Sequence, residues 1–250
     1  EEENTWKIAM AKETYEKIGG LENVSLEIVA DEKNQYGYRN KIEYSFAECE
    51  TPPSPSPTRG GNCVSLSFFE RGRRYHAPIE PCVLASGAIN ETAQHILAWV
   101  NENNIPIRSL KSLIIRSNRA GETIAALFIK DRLSFPKHPA LTNSMIGFHL
   151  YYSTHKSPAS VPTELLYSEG RDTITEEISG IRFSYGIFSF FQINVPLFER
   201  ALADITIHTA DSDILLDYYS GVGSIGLPLA RTTKSCMLVE QNEDAARFAE

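Results

Sequence analysis

Two carboxylates and three glycines near residue 220 have the types and spacing to hold a nucleoside. The run "DILLD" (213–217) ends in Asp217, the turn "SGVGS" supplies Gly221 and Gly223, Gly226 follows, and "CMLVE" (236–240) ends in Glu240. A strand that runs into a glycine turn and then a helix offers a bare backbone that a ligand can approach closely. Glu240, nineteen residues after Gly221, stands where a carboxylate at the tip of the adjacent strand can accept both hydroxyls of a ribose. The glycines also spell GxGxxG, a dinucleotide fingerprint that carries little weight alone. Asp217 would repel a pyrophosphate but is harmless or helpful beside a sulfonium, which favours an adenosyl ligand. The alternative is a tight strand-to-helix turn with Glu240 solvated.

The elements around these residues alternate. "VPLFERALADI" (195–205) reads as a helix, "DILLD" as a strand, "IGLPLAR" as a helix, "CMLVE" as a strand and "NEDAARFAE" as a helix. That order opens a parallel, doubly wound sheet. We expect residues 191–250 to be the first, truncated part of an α/β Rossmann-like domain.

Residues 1–190 read as an α+β central domain. A first helix is expected over 4–18, stopped by Gly19 and Gly20. "VSLEIVA" and "NKIEYSF" alternate apolar and polar residues, as strands of an antiparallel sheet do. The loop "TPPSPSPTRGGN" (51–62) holds four prolines and two glycines, too many for a helix or central strand. "CVSLSFFE" and "RYHAPI" flank the basic turn of Arg71, Gly72, Arg73 and Arg74 and predict a hairpin, and a helix is expected over about 83–100. "LKSLIIRSN", "ETIAALFIK", "FHLYYST" and "IRFSYGIF" predict four more strands, and the chain has no internal repeat.

Composition narrows the partners. With 250 residues, 42% of them hydrophobic, the chain can bury a substantial core. No apolar run nears the roughly 20 residues of a membrane-spanning helix, so no membrane partner is expected. The net charge of −8 confines any nucleic-acid contact to a local patch. Cys49, Cys63, Cys82 and Cys236 form no CxxC pair, which argues against an autonomous zinc site and predicts reduced thiols in a cytoplasmic protein. The N-terminal "EEENTWK" lacks an initiator Met, a basic n-region and an apolar h-region, and is expected to be neither a signal peptide nor a natural start.

Four stretches, "YGYRNKIEYSF", "FSFFQINVPLFERAL", "LLDYYSGVGSIGLPLA" and "LVEQNEDAARFAE", occur in this order along the chain. Together they resemble the S-adenosylmethionine-dependent RNA uridine C5-methyltransferases, which make 5-methyluridine in 23S ribosomal RNA and in tRNA. The resemblance implies a cytoplasmic RNA-modifying enzyme with rRNA or tRNA as its partner. It places Gln192, Tyr219, Gly221, Gly223, Ser224 and Glu240 at the methyl donor, with Asn194 beside them. Physically, Gln192 offers both a donor and an acceptor, Tyr219 a flat face and a hydroxyl, and Ser224 a group able to cap the helix and bond the ligand. Ser220 and Ser224 depart from the cysteine and asparagine common at these positions. Arg39 and Lys41, with Arg71, Arg73 and Arg74, would face RNA phosphates, and Tyr36 and Tyr38 could stack on bases or pack in the core.

The tract "LSFFERGRRYHAPIEPCVL" resembles the stretch that ends in the last of four cluster cysteines in iron-sulfur members, here Cys82. The other three would precede "TWK", so a [4Fe-4S] cluster is expected only in a longer parent, and Cys82 here reads as a small buried hydrophobe. In the family a cysteine thiolate adds to uracil C6, C5 takes the methyl group, and a base removes the C5 proton. Both catalytic groups would lie beyond residue 250. Cys236, at the start of its strand, is not nominated as the nucleophile. The expectation is therefore a fragment with half a donor site and an unpaired sheet edge open to self-association. Two competing readings remain: a non-catalytic RNA-binding module and an NAD-dependent oxidoreductase.

Overall fold

The computed structural model describes residues 2–49, 63–72, 75–156 and 159–250. These fall into two units, Glu1–Gln35 and Tyr36–Glu250. The first holds helix α1 (Glu2–Lys17), which has no buried residue and carries a Glu3–Lys7 pair at 2.6 Å. The expected strand at "VSLEIVA" is absent. Its alternation survives in half-buried Val24, Leu26 and Ile28, but a strand exists only where a neighbour completes its ladder, and none does here.

In the second unit, β1 (Lys41–Glu48), β2 (Val64–Phe69), β3 (His76–Pro78), β4 (Leu110–Ser117), β5 (Thr123–Ile129), β6 (Met145–Tyr152) and β7 (Glu164–Gly170) form one sheet, ordered β3-β2-β1-β4-β5-β6-β7. The β5–β6 pair is parallel and the others antiparallel, so the sheet is mixed rather than wholly antiparallel. Helix α2 (Gly87–Glu102) starts at Ser86, whose Oγ accepts from the Ile89 amide. It turns Ile89, Ala93, Ile96 and Val100 inward at helical spacing.

Strands β4 and β5 are covered on both faces. Leu113, Ile115, Ala125, Leu127 and Ile129 join the core under α2, while Ile114, Ile124, Ala126 and Phe128 join a second core. That second core includes the hairpin β8 (Thr173–Ile178) and β9 (Ile181–Gly186), and also Phe191, Val195, Leu202, Val222 and Ala245. Residues from both sides of position 190 therefore share one apolar cluster.

The hairpin turns through Ser179 and Gly180, both at positive φ, a geometry that matches the twist of paired strands. Helix α3 (Val195–Thr209) is capped by Asn194, whose Oδ1 accepts from the Leu197 amide at 3.2 Å. β10 (Leu215–Tyr218) and β11 (Cys236–Val239) pair in parallel, with the short helix α4 (Gly226–Leu229) between them and α5 (Glu243–Ala249) after them. Leu216, Tyr218, Met237 and Val239 alternate outward along this pair and are exposed.

The reading of all four cysteines as reduced thiols is corrected. Cys49 and Cys63 form a disulfide, with Cα atoms 5.4 Å apart. The β1–β2 register sets Glu48 opposite Val64, so these two cysteines, fourteen residues apart in sequence, become the next facing pair. The Pro-rich loop 51–62, Arg73 and Arg74 lie outside the described residues.

Candidate functional site

Parallel pairing of β10 with β11 sets Tyr218 opposite Val239, so the glycine turn and Glu240 leave the sheet side by side. Glu240 Oε2 accepts the Gly221 amide at 2.8 Å, and Oε1 accepts the Asn242 amide at 2.7 Å. Those amides, Asn242 first and then Gly221, hold the carboxyl below the usual carboxylate range. Each oxygen keeps a second lone pair for a further donor such as a ribose hydroxyl.

The three glycines answer different demands. A Cβ on Gly226 would lie 2.4 Å from Leu238 Cδ2 and 2.8 Å from Asp217 Oδ2, so those side chains would have to shift, whereas Gly223, at φ +77°, has a backbone conformation that other residues rarely adopt. At Gly221, φ +56°, a Cβ would stand in open space, with nothing within 4 Å of it. Two residues before it, Tyr219 has φ +60° and is 85% exposed. A bulky residue in the left-handed region costs about 1–2 kcal/mol, and such strain collects at functional sites. The buried Ser220 hydroxyl has no partner among the described residues.

Two roles expected from the sequence change. Asp217 does not stand free beside a ligand: its Oδ2 accepts the Gly226 amide at 2.8 Å, and burial raises its carboxyl. It thereby takes over the capping expected of Ser224, which is buried and lies outside α4. Cys236 faces Leu215 at the opposite end of the strand pair, where its thiol lies 3.6 Å from the Gly226 carbonyl and is raised by burial.

Gln192 lies on the segment between β9 and α3, and this segment is tied to the sheet by two residues missed in the sequence. Asn40 donates from Nδ2 to the Gln192 carbonyl at 2.9 Å and from its own amide to the Ile193 carbonyl at 3.3 Å. Arg116, 1% exposed, donates from Nε to the Ile187 carbonyl at 2.9 Å, reaches the Ser189 carbonyl through Nη2, and lies over the Tyr185 ring. Burial lowers its guanidinium to about 10. A lone charge inside the apolar "LIIRS" of β4 was the available signal for Arg116, because a buried arginine must find acceptors.

Lys41 faces Arg116 across the β1–β4 pair, and burial, then the Arg116 charge, lowers its ammonium. Half-buried Arg39 lies just before β1 and lines a cavity with Tyr38, while Tyr36 is exposed. Arg71 is exposed in the β2–β3 turn. With Ser45 opposite Ser67 in an antiparallel pair, β2 ends at the side of the sheet where β1 begins, so Arg39, Lys41 and Arg71 share that side. Cys82 is buried in the core under α2, and among the described residues no group of three potential metal ligands gathers around it.

No protein-family model matches the chain. It is 25% identical over 263 residues to a Fusobacterium nucleatum protein named an uncharacterized RNA methyltransferase, covering 98% of this chain and 54% of that one. A protein of the same name from Lactiplantibacillus plantarum is 25% identical over 217 residues, covering 80% of this chain and 43% of the relative. Its homologues are RNA methyltransferases by name. The crystal structure of Pyrococcus abyssi tRNA (uracil-54, C5)-methyltransferase in complex with S-adenosyl-L-homocysteine matches with a TM-score of 0.73 at 19% identity, over 98% of this chain and 59% of that one. The chain thus shares the fold of an RNA methyltransferase and spans about half the length of the curated relatives it matches.

Proposed function

We propose that this chain is part of an RNA methyltransferase that uses S-adenosylmethionine to methylate C5 of a uridine in rRNA or tRNA. Residues 191–250 would form the first part of its donor-binding domain. The observation that carries the reading is the Glu240–Gly221 contact, which joins the ribose-type acid to the open end of the glycine turn. A nucleoside seated there would meet both Glu240 oxygens and the exposed Tyr219 ring, with Gly223 and Ser224 shaping the turn below. Gln192, held through its backbone by Asn40, would present its amide to the same donor. The donor, when bound, supplies an electrophilic methyl group on a sulfonium. Arg39, Lys41 and Arg71, with Arg73 and Arg74, are the proposed RNA contacts.

Calorimetric titration of the chain with S-adenosylhomocysteine tests this. Heat of binding is expected for the natural sequence, with affinity falling about tenfold or more in Glu240→Gln, as for loss of hydrogen bonds to a charged group. Binding of NAD without binding of S-adenosylhomocysteine would overturn the reading in favour of an oxidoreductase. RNA binding without either would leave an RNA-binding module.

A further inference from the structure

At the side of the sheet where β1 begins, a cavity of about 350 Å³ opens over the N-terminus of α2. Its lining includes Gly37, Arg39, Asn40, Gly87, Ala88 and Gly121. No atom lies within 4 Å of where a Cβ on Gly87 or Gly121 would stand, so the glycines leave room. The Arg39 backbone is fastened to the segment entering α2: its amide donates to the Leu84 carbonyl at 2.9 Å, and its carbonyl accepts the Ser86 amide at 3.0 Å.

The polar groups around this space are unevenly served. Glu176 in the wall is satisfied by Arg119, which donates from Nε at 3.1 Å and from its amide at 3.0 Å. The half-buried Arg39 guanidinium has no ion pair among the described residues, and its Nε is buried without a partner. Asn40, 7% exposed, is buried with its Oδ1 unpartnered. A buried donor or acceptor left alone costs about 1–3 kcal/mol. The first-turn amides of α2, on Gly87 and Ala88, have no intrahelical acceptor, and a helix N-terminus favours an anion.

An unpaired guanidinium, helix amides and an orphaned acceptor in one small cavity ask for a ligand with a negative charge and a nearby hydroxyl. We propose that this cavity is a subsite for one ribose-phosphate of the RNA strand. Arg39 and the Gly87 and Ala88 amides take the phosphate, and Asn40 Oδ1 accepts from the 2′-hydroxyl. The inference rests on the RNA reading above but concerns a place separate from the glycine turn. Asn40 also holds the Gln192 backbone, so the subsite adjoins the segment that carries Gln192.

The test is binding of fluorescent oligouridylate to the whole chain, followed by anisotropy at several salt concentrations. Arg39→Met should weaken binding about tenfold or more and lower the slope of log affinity against log salt by about 0.7. Because the substitution removes an unsatisfied buried group, its melting temperature should not fall. Gly87→Pro should keep the helix, since proline suits the first helical position and Ser86, at φ −57° and ψ 153°, already has the conformation that precedes proline. It should nevertheless weaken RNA binding about threefold or more, having lost one amide and filled the space. Oligodeoxyuridylate should bind about fivefold more weakly than oligouridylate.

If the natural chain binds oligouridylate and folded Arg39→Met and Gly87→Pro bind it equally well with the same salt slope, the subsite is overturned and the RNA reading survives. If the natural chain binds no RNA, both fall. Equal affinity for the deoxy strand would overturn the role given to Asn40.

Discussion

Strands β5 and β10 are both short apolar runs, yet the fold treats them differently. All seven residues of β5 are buried, with β4 and β6 on its flanks and a core on each face. In β10 the residues alternate between half-buried and exposed, and among the described residues its single sheet partner is β11. The strained Tyr219, the open Gly221 and the unpartnered Ser220 hydroxyl all follow β10. The large sheet is sealed by packing on both faces of its centre, whereas the small one leaves half of its residues exposed. Such a division is expected when a rigid scaffold carries a region whose interactions are completed by a ligand.

The contrast is most severely tested by Phe128→Ala in β5. Phe128 is fully buried and packs on Tyr151 and Phe188 at ring distances of 5.4 and 5.9 Å. Its truncation should lower stability by about 3–5 kcal/mol in urea unfolding; a loss comparable to that of a surface change would erase the difference between the two sheets. Tyr219→Gly should act in the opposite sense. Removing the side chain from a positive φ should raise stability by up to about 1 kcal/mol, seen as a higher melting temperature, while S-adenosylhomocysteine binds more weakly. A gain in stability with undiminished affinity would detach the strain from the site. Smallest of all, Leu216→Ser on the exposed face of β10 should change stability by less than about 0.5 kcal/mol, and a larger loss would mean that this face is covered in solution.

The sequence was most informative where local pattern and tertiary demand coincide. Ile42, Tyr44 and Phe46 alternate and become one buried face of β1, and the spacing from Gly221 to Glu240 becomes a direct hydrogen bond. It was silent where a partner decides. Val24, Leu26 and Ile28 alternate just as well but find no ladder, while β7 and β8, with two glutamates each, pair because β6 and β9 lie beside them. The parallel β5–β6 pairing has no local signature, since parallel and antiparallel strands carry similar residues when buried on both faces. At the site, the backbone turn was legible through its glycines. The Asn40 and Arg116 contacts were not, because each joins segments more than 70 residues apart.

The Cys49–Cys63 bond carries a consequence for the segment it brackets. Because the two sulfurs join the end of β1 to the start of β2, the peptide between them is no longer the sole connection from one strand to the next. A protease nick anywhere in residues 50–62 would leave a single covalent molecule on a denaturing gel, and only a reductant would release two polypeptides.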